Sequence, residues 1–303
     1  MDKSENIIEI KNLVKDFGKF RALNKLNLEV KKGEVHGFLG PNGSGKSTTI
    51  RILLGLIQKT SGQVSILGKE PWGNSVELHK RLTYVPGDVN LWPNLSGGEA
   101  IDLLADLRGG INEAKRKELL AKFSLDPKKK FRTYSKGNRQ KVALIAALAS
   151  DVEVYILDEP TSGLDPLLEV VFQDYIKQLK DEGKTVLLSS HILAEVESLC
   201  DRVTIIREGV TVESGHLHNI QKLHRTKFIV EASKPANSLS KIHGVHNFKT
   251  NDKNISFDVE PSSLNRVMTK LADLDITQIT SHPPQLEELF LQYYQEKDKS
   301  GTK

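Results

Sequence analysis

One cysteine, two methionines, two tryptophans and 6% aromatic residues in 303 leave several classes of protein without material. The lone Cys200 cannot close an internal disulfide, which excludes a disulfide-stapled secreted scaffold and reads as cytoplasmic. No apolar run approaches the roughly 18 residues of a membrane-spanning helix; among the longest is Val142 to Ala149. The opening MDKSENIIEIKN shows no apolar signal-peptide stretch. A large excess of one charge is also missing. The 43 Lys and Arg against 39 Asp and Glu give a formal net charge of +4, too little for a dedicated nucleic-acid coat. What is present is 38% hydrophobic and 27% charged residue, enough for a core and too balanced for disorder. At about 150 residues per domain the length fits one large domain or two smaller ones.

The first two-thirds of the chain alternates two periodicities. Ile7 to Val14, Ala22 to Val30 and Glu34 to Leu39 read as strands, as do Thr83 to Val85, Val154 to Leu157, Thr185 to Ser189 and Arg202 to Ile206. Between them lie helical stretches at Ser47 to Leu56, Gly98 to Leu107, Glu113 to Phe123, Gly137 to Ala149, Glu169 to Lys180 and Ile192 to Leu199. That alternation predicts an α/β fold with a mostly parallel sheet covered on both faces. After about residue 218 the pattern changes. Strands at His224 to Ala232, Val245 to Lys249, Ile255 to Val259 and Ile276 to Ile279 accompany helices at Ser262 to Asp273 and Gln285 to Gln295. The polar Asn251-Asp252-Lys253-Asn254 suits a hairpin turn, and the tail beyond Glu296 suits fraying. This predicts a small C-terminal α+β domain over residues 225–303, after a larger one over 1–220.

Gly40-Pro41-Asn42-Gly43-Ser44-Gly45-Lys46-Ser47 matches the phosphate-loop pattern between a predicted strand and a predicted helix. The glycines let successive N–H groups curl around phosphate oxygens at the positive end of the helix that follows. Lys46 then reaches the outer phosphates and Ser47 offers its hydroxyl to Mg²⁺, with Thr48 completing the candidate nucleotide-binding segment. A second element is Val154-Tyr-Ile-Leu-Asp158-Glu159, an apolar strand ending in two acids at the sheet edge where such folds bind ligands. Asp158 is the candidate to hold Mg²⁺, and Glu159 to orient and deprotonate the attacking water.

With these two motifs the stretch from about 7 to 218 resembles the ATP-binding subunit of an ABC transporter. Tyr134-Ser135-Lys136-Gly137-Asn138-Arg139-Gln140-Lys141 is similar to the family signature, usually LSGGQ followed by a basic, Gln-containing run. Ser162-Gly163-Leu164-Asp165 resembles the D-loop, His191 matches the switch histidine, and Phe17 sits where the family stacks an aromatic on adenine. The resemblance implies a phosphate-loop ABC cassette, a mixed sheet with a helical subdomain at about 88–145, that binds ATP and Mg²⁺. It further implies a homodimer through an ATP sandwich, in which Ser135 and Gly137 act in trans while Lys46 and His191 act in cis. Leu95-Ser96-Gly97-Gly98-Glu99 spells a closer LSGG match, but no Arg-Gln run or acid-tipped strand follows it, so it reads as a helix cap. Two positions depart from the family pattern. Gly87 stands where a Gln normally contacts Mg²⁺, with Asp88 beside it, and Lys136 replaces a signature Gly.

Residues 115–141 hold eleven basic side chains against Glu118 and Asp126, either a surface for an acidic partner or a solvated helix face. His243, His246 and His282 lack ligand-like spacing. The segment Pro284-Gln-Leu-Glu-Glu-Leu-Phe290 resembles the end of the appendage on drug- and antibiotic-resistance-type ATP-binding subunits, where it serves dimerisation or regulation. The expectation is an ATPase on the cytoplasmic face of the membrane that drives a separately encoded permease, exporting a drug-like or lipid-like cargo, with no nucleic acid involved. The alternatives are a soluble ABC ATPase acting on ribosome or nucleic acid, and a non-catalytic nucleotide-binding regulator.

Overall fold

A computed structural model describes residues 6–222, 225–234, 236–251 and 254–282. The chain divides into two compact units, Met1–Gly215 and His216–Lys303. The expected final helix at Gln285 to Gln295, the Pro284 to Phe290 segment and the tail lie outside the described residues, as do His224 and the Asp252-Lys253 pair of the expected turn.

The first unit opens with a hairpin of β1 (Asn6–Phe17) and β2 (Phe20–Lys31), then β3 (Val35–Leu39), α1 (Lys46–Leu53), β4 (Ser61–Ile66), α2 (Pro71–Leu78) and β5 (Leu82–Val85). Three helices follow: α3 (Gly97–Asp106), α4 (Glu113–Lys122) and α5 (Lys136–Leu148). The unit closes with β6 (Val154–Asp158), α6 (Pro166–Asp181), β7 (Thr185–Ser190), α7 (Leu193–Leu199), β8 (Arg202–Arg207) and β9 (Val210–His216). Two sheets result. One is three-stranded and antiparallel, ordered β2-β1-β4, and the other is six-stranded, ordered β5-β6-β7-β3-β8-β9. Pairing is parallel from β5 through β8, and every residue of β3, β6 and β7 is buried, as expected of strands covered on both faces.

Three elements of this unit lack a strong sequence signal. The β4 segment SGQVSI holds only two apolar residues, and α2 is broken by a non-helical Asn74. The edge strand β9 alternates exposed and half-buried positions with no apolar core face. The closer LSGG match behaves as a helix cap. Ser96 and Glu99 form a reciprocal capping box at the start of α3, where Glu99 N donates to Ser96 Oγ at 3.2 Å. Four of the eleven basic residues in that stretch form ion pairs: Arg116 with Asp102, Lys115 with Glu182, Lys122 with Glu118 and Lys130 with Glu99.

In the second unit come α8 (Leu217–Lys222), β10 (Thr226–Ala232), β11 (Val245–Asn251), β12 (Asn254–Val259), α9 (Leu264–Leu271) and β13 (Ile276–His282). Its sheet is antiparallel throughout, ordered β11-β12-β10-β13. Phe228 and Phe257 stack with ring centroids 5.7 Å apart, and Val267 and Leu271 of α9 join the same core. His246 hydrogen-bonds to Glu260 at 2.7 Å rather than to other potential metal ligands, and no group of three such ligands occurs among the described residues.

One connection in the first unit positions the nucleotide loop. Glu208 and Gly209 join β8 to β9, both with positive φ (49° and 74°), as a two-residue hairpin requires. The Gly209 N–H donates to the Ser44 carbonyl at 2.9 Å, while its own carbonyl accepts from Asn24 N at 2.9 Å. A Cβ on Gly209 would overlap the Ala22 carbonyl oxygen. We predict that Gly209→Ala destabilises the fold by about 1–3 kcal/mol through this forced left-handed backbone and weakens nucleotide binding. Chemical denaturation and equilibrium binding check both, and an unchanged variant would remove the turn from this role.

Candidate nucleotide site

The C-terminal ends of β3, β6 and β7 bring the candidate residues together. In register, Asp158 at the end of β6 pairs with Ser189 of β7, and Leu39 at the end of β3 pairs with Ser190. The glycine loop leaves β3 there and enters α1. Gly43 and Gly45 take φ of 80° and 110°, conformations that a side chain would strain. Gly45 is the N-cap of α1, so that helix starts with no side-chain cap and no acid in its first turn. Its first N–H groups are therefore free to meet an anion.

Lys46 is 5% exposed, and its ammonium donates to the Gly40 carbonyl at 2.5 Å and the Pro41 carbonyl at 3.2 Å. Burial lowers its pKa, against the charges of Glu159 and Asp158, which raise it. Ser47 Oγ donates to Asp158 Oδ2 at 3.2 Å and Ser189 Oγ donates to Asp158 Oδ1 at 2.8 Å. Burial raises the Asp158 carboxyl above the ordinary aspartate range. The Ser189 and Ser47 hydroxyls oppose that shift, Glu159 adds to it, and Lys46 opposes it.

Glu159 follows with φ of 48°, a left-handed conformation rare for a non-glycine residue. Its N–H donates to the Ser189 carbonyl at 2.9 Å and its carbonyl accepts from Ser162 N at 3.1 Å. His191 Nδ1 lies 3.3 Å from Glu159 Oε1. A cleft of about 270 Å³ is lined by Pro41, Asn42, Gly43, Gly45, Lys46, Ser47, Thr48 and Glu159, with Phe20 and Ala22 from β2. Phe17 is not part of that lining. It is the cross-strand partner of Phe20, with the Lys15 ammonium 4.8 Å from its ring centroid.

Ser135, Gly137 and Asp165 lie outside the cleft. Ser135 caps α5, accepting from Asn138 N at 3.3 Å, and Asp165 caps α6, accepting from Leu168 N at 3.1 Å. A Cβ on Gly137 would overlap the Gly163 carbonyl oxygen, so signature and D-loop backbones touch here; Lys136 Nζ adds a bond to Ser162 Oγ at 3.1 Å. At the departure from the family pattern, a Cβ on Gly87 would lie 3.2 Å from the Asp158 carbonyl oxygen, and Asp88 accepts from Asn90 at 3.1 Å.

Sequence reasoning passed over four participants: Phe20, Ser189, Glu195 and the pairing role of Ser190. Ser190 Oγ donates to the buried Glu195 at 2.6 Å and accepts from Ile192 N at 3.0 Å, which pins the turn carrying His191. The serines ending β7 carried no motif, and only their place beside the acid-tipped strand could have marked them.

The residues suit a nucleotide with a divalent cation. Ser44 Oγ is buried without a hydrogen-bond partner inside the loop, the α1 N-terminus is uncapped, and Ser47 with Asp158 supplies hard oxygen donors.

A glycine cradle on a helix start, facing a carboxylate pair across a parallel sheet edge, defines a phosphate-loop nucleotide-binding protein. The ABC transporter family profile matches residues 23–162, and that of the ATP-binding protein DrrA1-3-like C-terminal domain matches 215–294. The bacitracin transport ATP-binding protein of Enterococcus faecalis is 32% identical over 94% of this chain and 96% of its own. The solved ATP-binding subunit of an ABC transporter is 32% identical with a TM-score of 0.66, covering 71% of this chain and 92% of that one. A dimeric ATP-binding cassette in a post-hydrolysis state, bound to ADP and Pi, is 28% identical with a TM-score of 0.61, covering 69% and 98%. The chain belongs to the ABC transporter ATP-binding family and is an ATP-binding subunit, of the drug-resistance-exporter-like subgroup. No helix among the described residues is long and apolar enough to cross a membrane.

An acid whose folded pKa is raised carries a stability cost above that pKa, and the cost is relieved as pH falls. Nucleotide-free Asp158→Asn should therefore melt higher than the parent at pH 8, with the gap narrowing toward acid. A lower melting temperature at pH 8 would contradict the assigned origin of the shift.

Proposed function

We propose that this chain hydrolyses ATP as the motor of a membrane exporter whose spanning permease is a separate chain. The observation that carries the reading is the joining of Ser47 to Asp158 at 3.2 Å and of Glu159 to His191 at 3.3 Å beside the glycine loop. The loop N–H groups and Lys46 hold the phosphates, with Lys46 exchanging its bonds to the Gly40 and Pro41 carbonyls for phosphate oxygens. Ser47 and Asp158 hold Mg²⁺, which when bound neutralises charge on the outer phosphates. Glu159 orients and deprotonates the attacking water, and His191 steadies Glu159 and the γ-phosphate end of the site. Phe17 or its hairpin partner Phe20 stacks on the adenine.

Two copies complete the chemistry. Ser135 and Gly137, at the start of α5, face the nucleotide held by Lys46 of a second copy, and Asp165 sits at the same junction. The subunit works at the cytoplasmic face of the membrane. Its cargo is a drug-like or lipid-like molecule, a class suggested by the relative that transports bacitracin.

Glu159→Gln should bind ATP, hydrolyse it about 10²-fold more slowly, the usual scale for losing a general base, and accumulate as an ATP-bound dimer. Steady-state turnover and light scattering measure both, and normal turnover would remove Glu159 from its role. The C-terminal unit supports dimerisation or regulation in this reading. Deleting residues 225–303 should shift the monomer–dimer equilibrium toward monomer, and an unshifted equilibrium by light scattering rules out the dimerisation role.

A further inference from the structure

Gln140 is a buried carboxamide without a role in the chemistry above. It lies on α5, little more than a turn from Ser135, and is 1% exposed. Its Nε2 donates to the Pro160 carbonyl at 3.0 Å and reaches the Pro86 carbonyl at 3.4 Å. Both carbonyls belong to loops at the site: Pro160 follows Glu159, and Pro86 precedes Gly87. The second loop also touches the first directly, since a Cβ on Gly87 would lie 3.2 Å from the Asp158 carbonyl oxygen and 3.4 Å from Glu159 Cβ. Glu159 meanwhile sits in a left-handed conformation that the chain does not adopt without being held. Its backbone makes two bonds, one to Ser189 on β7 and one from Ser162 within its own turn.

We propose that Gln140 is a positioning residue for Glu159: its carboxamide clamps the turn after β6 to α5 and to the Pro86-Gly87 segment. Gly87 leaves room for the two loops to approach, and the clamp on Pro86 ties them together. Because α5 begins at Ser135 and Gly137, movement at the start of that helix is passed to Glu159 through Gln140. The inference rests on Glu159 acting as the base, as proposed above.

The test uses the full chain with two substitutions. Gln140→Met keeps the volume and removes the donor. Gln140→Glu keeps the shape but, when ionised, sets a carboxylate against two carbonyl oxygens; when protonated, it can again donate one O–H. Both should lower kcat for ATP hydrolysis about 10-fold or more at pH 8, because small displacements of a reacting group are costly. KM and the affinity for a fluorescent ATP analogue, measured without turnover, should stay within about twofold. A parent-like kcat in both variants overturns the proposal, as does loss of kcat in step with nucleotide affinity. If Gln140→Met does not fold, kcat and nucleotide affinity of Gln140→Glu at pH 8 decide alone. Glu159→Gln, assayed in parallel, separates the two readings. Normal turnover there defeats the base assignment itself, whereas an inactive Glu159→Gln with normal Gln140 variants defeats only the clamp.

Discussion

Asp158 is held at 7% exposure between two serine hydroxyls, one from the strand beside it and one from the helix after the glycine loop. Three separate stretches of chain meet at this carboxylate, and their geometry at the sheet edge follows from it. The next residue, Glu159, inherits its place from the same junction, because its N–H is bound by Ser189, the residue that also binds Asp158. A carboxylate taken out of water and hydrogen-bonded by hydroxyls is costly to keep ionised, and the Lys46 charge only partly offsets its burial. In the proposed nucleotide-bound state, a divalent ion held by Ser47 and Asp158 would supply the missing counter-charge.

The cost is spread over a scaffold that is otherwise conventional. Strands β3, β6 and β7 are fully buried; β6 and β7 end in the polar Asp158 and Ser189-Ser190, and β3 ends in Leu39 and passes straight into the glycine loop. Loops leaving those ends are short and tightly bonded. Ser190 and Glu195 fix the His191 turn, Gly137 abuts Gly163, and Gln140 spans two loops. The contacts of Gly137 and Gln140 join segments distant in sequence, which makes the site stiff although it is built from turns.

Much of this was legible beforehand where one local signal sufficed. The glycine loop, the acid-tipped strand and the helix expected from Gly137 needed only pattern and spacing, and five strands of the six-stranded sheet, all but β9, announced themselves as apolar runs. The edge strand β9, the weakly apolar β4 and the kinked α2 were not legible, because their apolar signal is weak or interrupted. At the site, Ser189 and Glu195 were invisible for a different reason. Their roles depend on register between strands and on a turn, which no single stretch encodes. Phe17 and Phe20 show a third limit: they are cross-strand partners at a hairpin end, and that Phe20 rather than Phe17 lines the cleft follows from the fold and not from any local pattern.

The hairpin at Glu208-Gly209 has one further consequence. Turns between neighbouring strands are ordinarily the places where a chain accepts extra residues, because their backbone faces water. Here the turn's N–H and carbonyl are both committed, one to Ser44 in the nucleotide loop and the other to Asn24. Lengthening this connection by even one residue would withdraw a bond from the loop that holds the phosphates. Across variants of this architecture, length variation should therefore accumulate in other surface loops and spare this one.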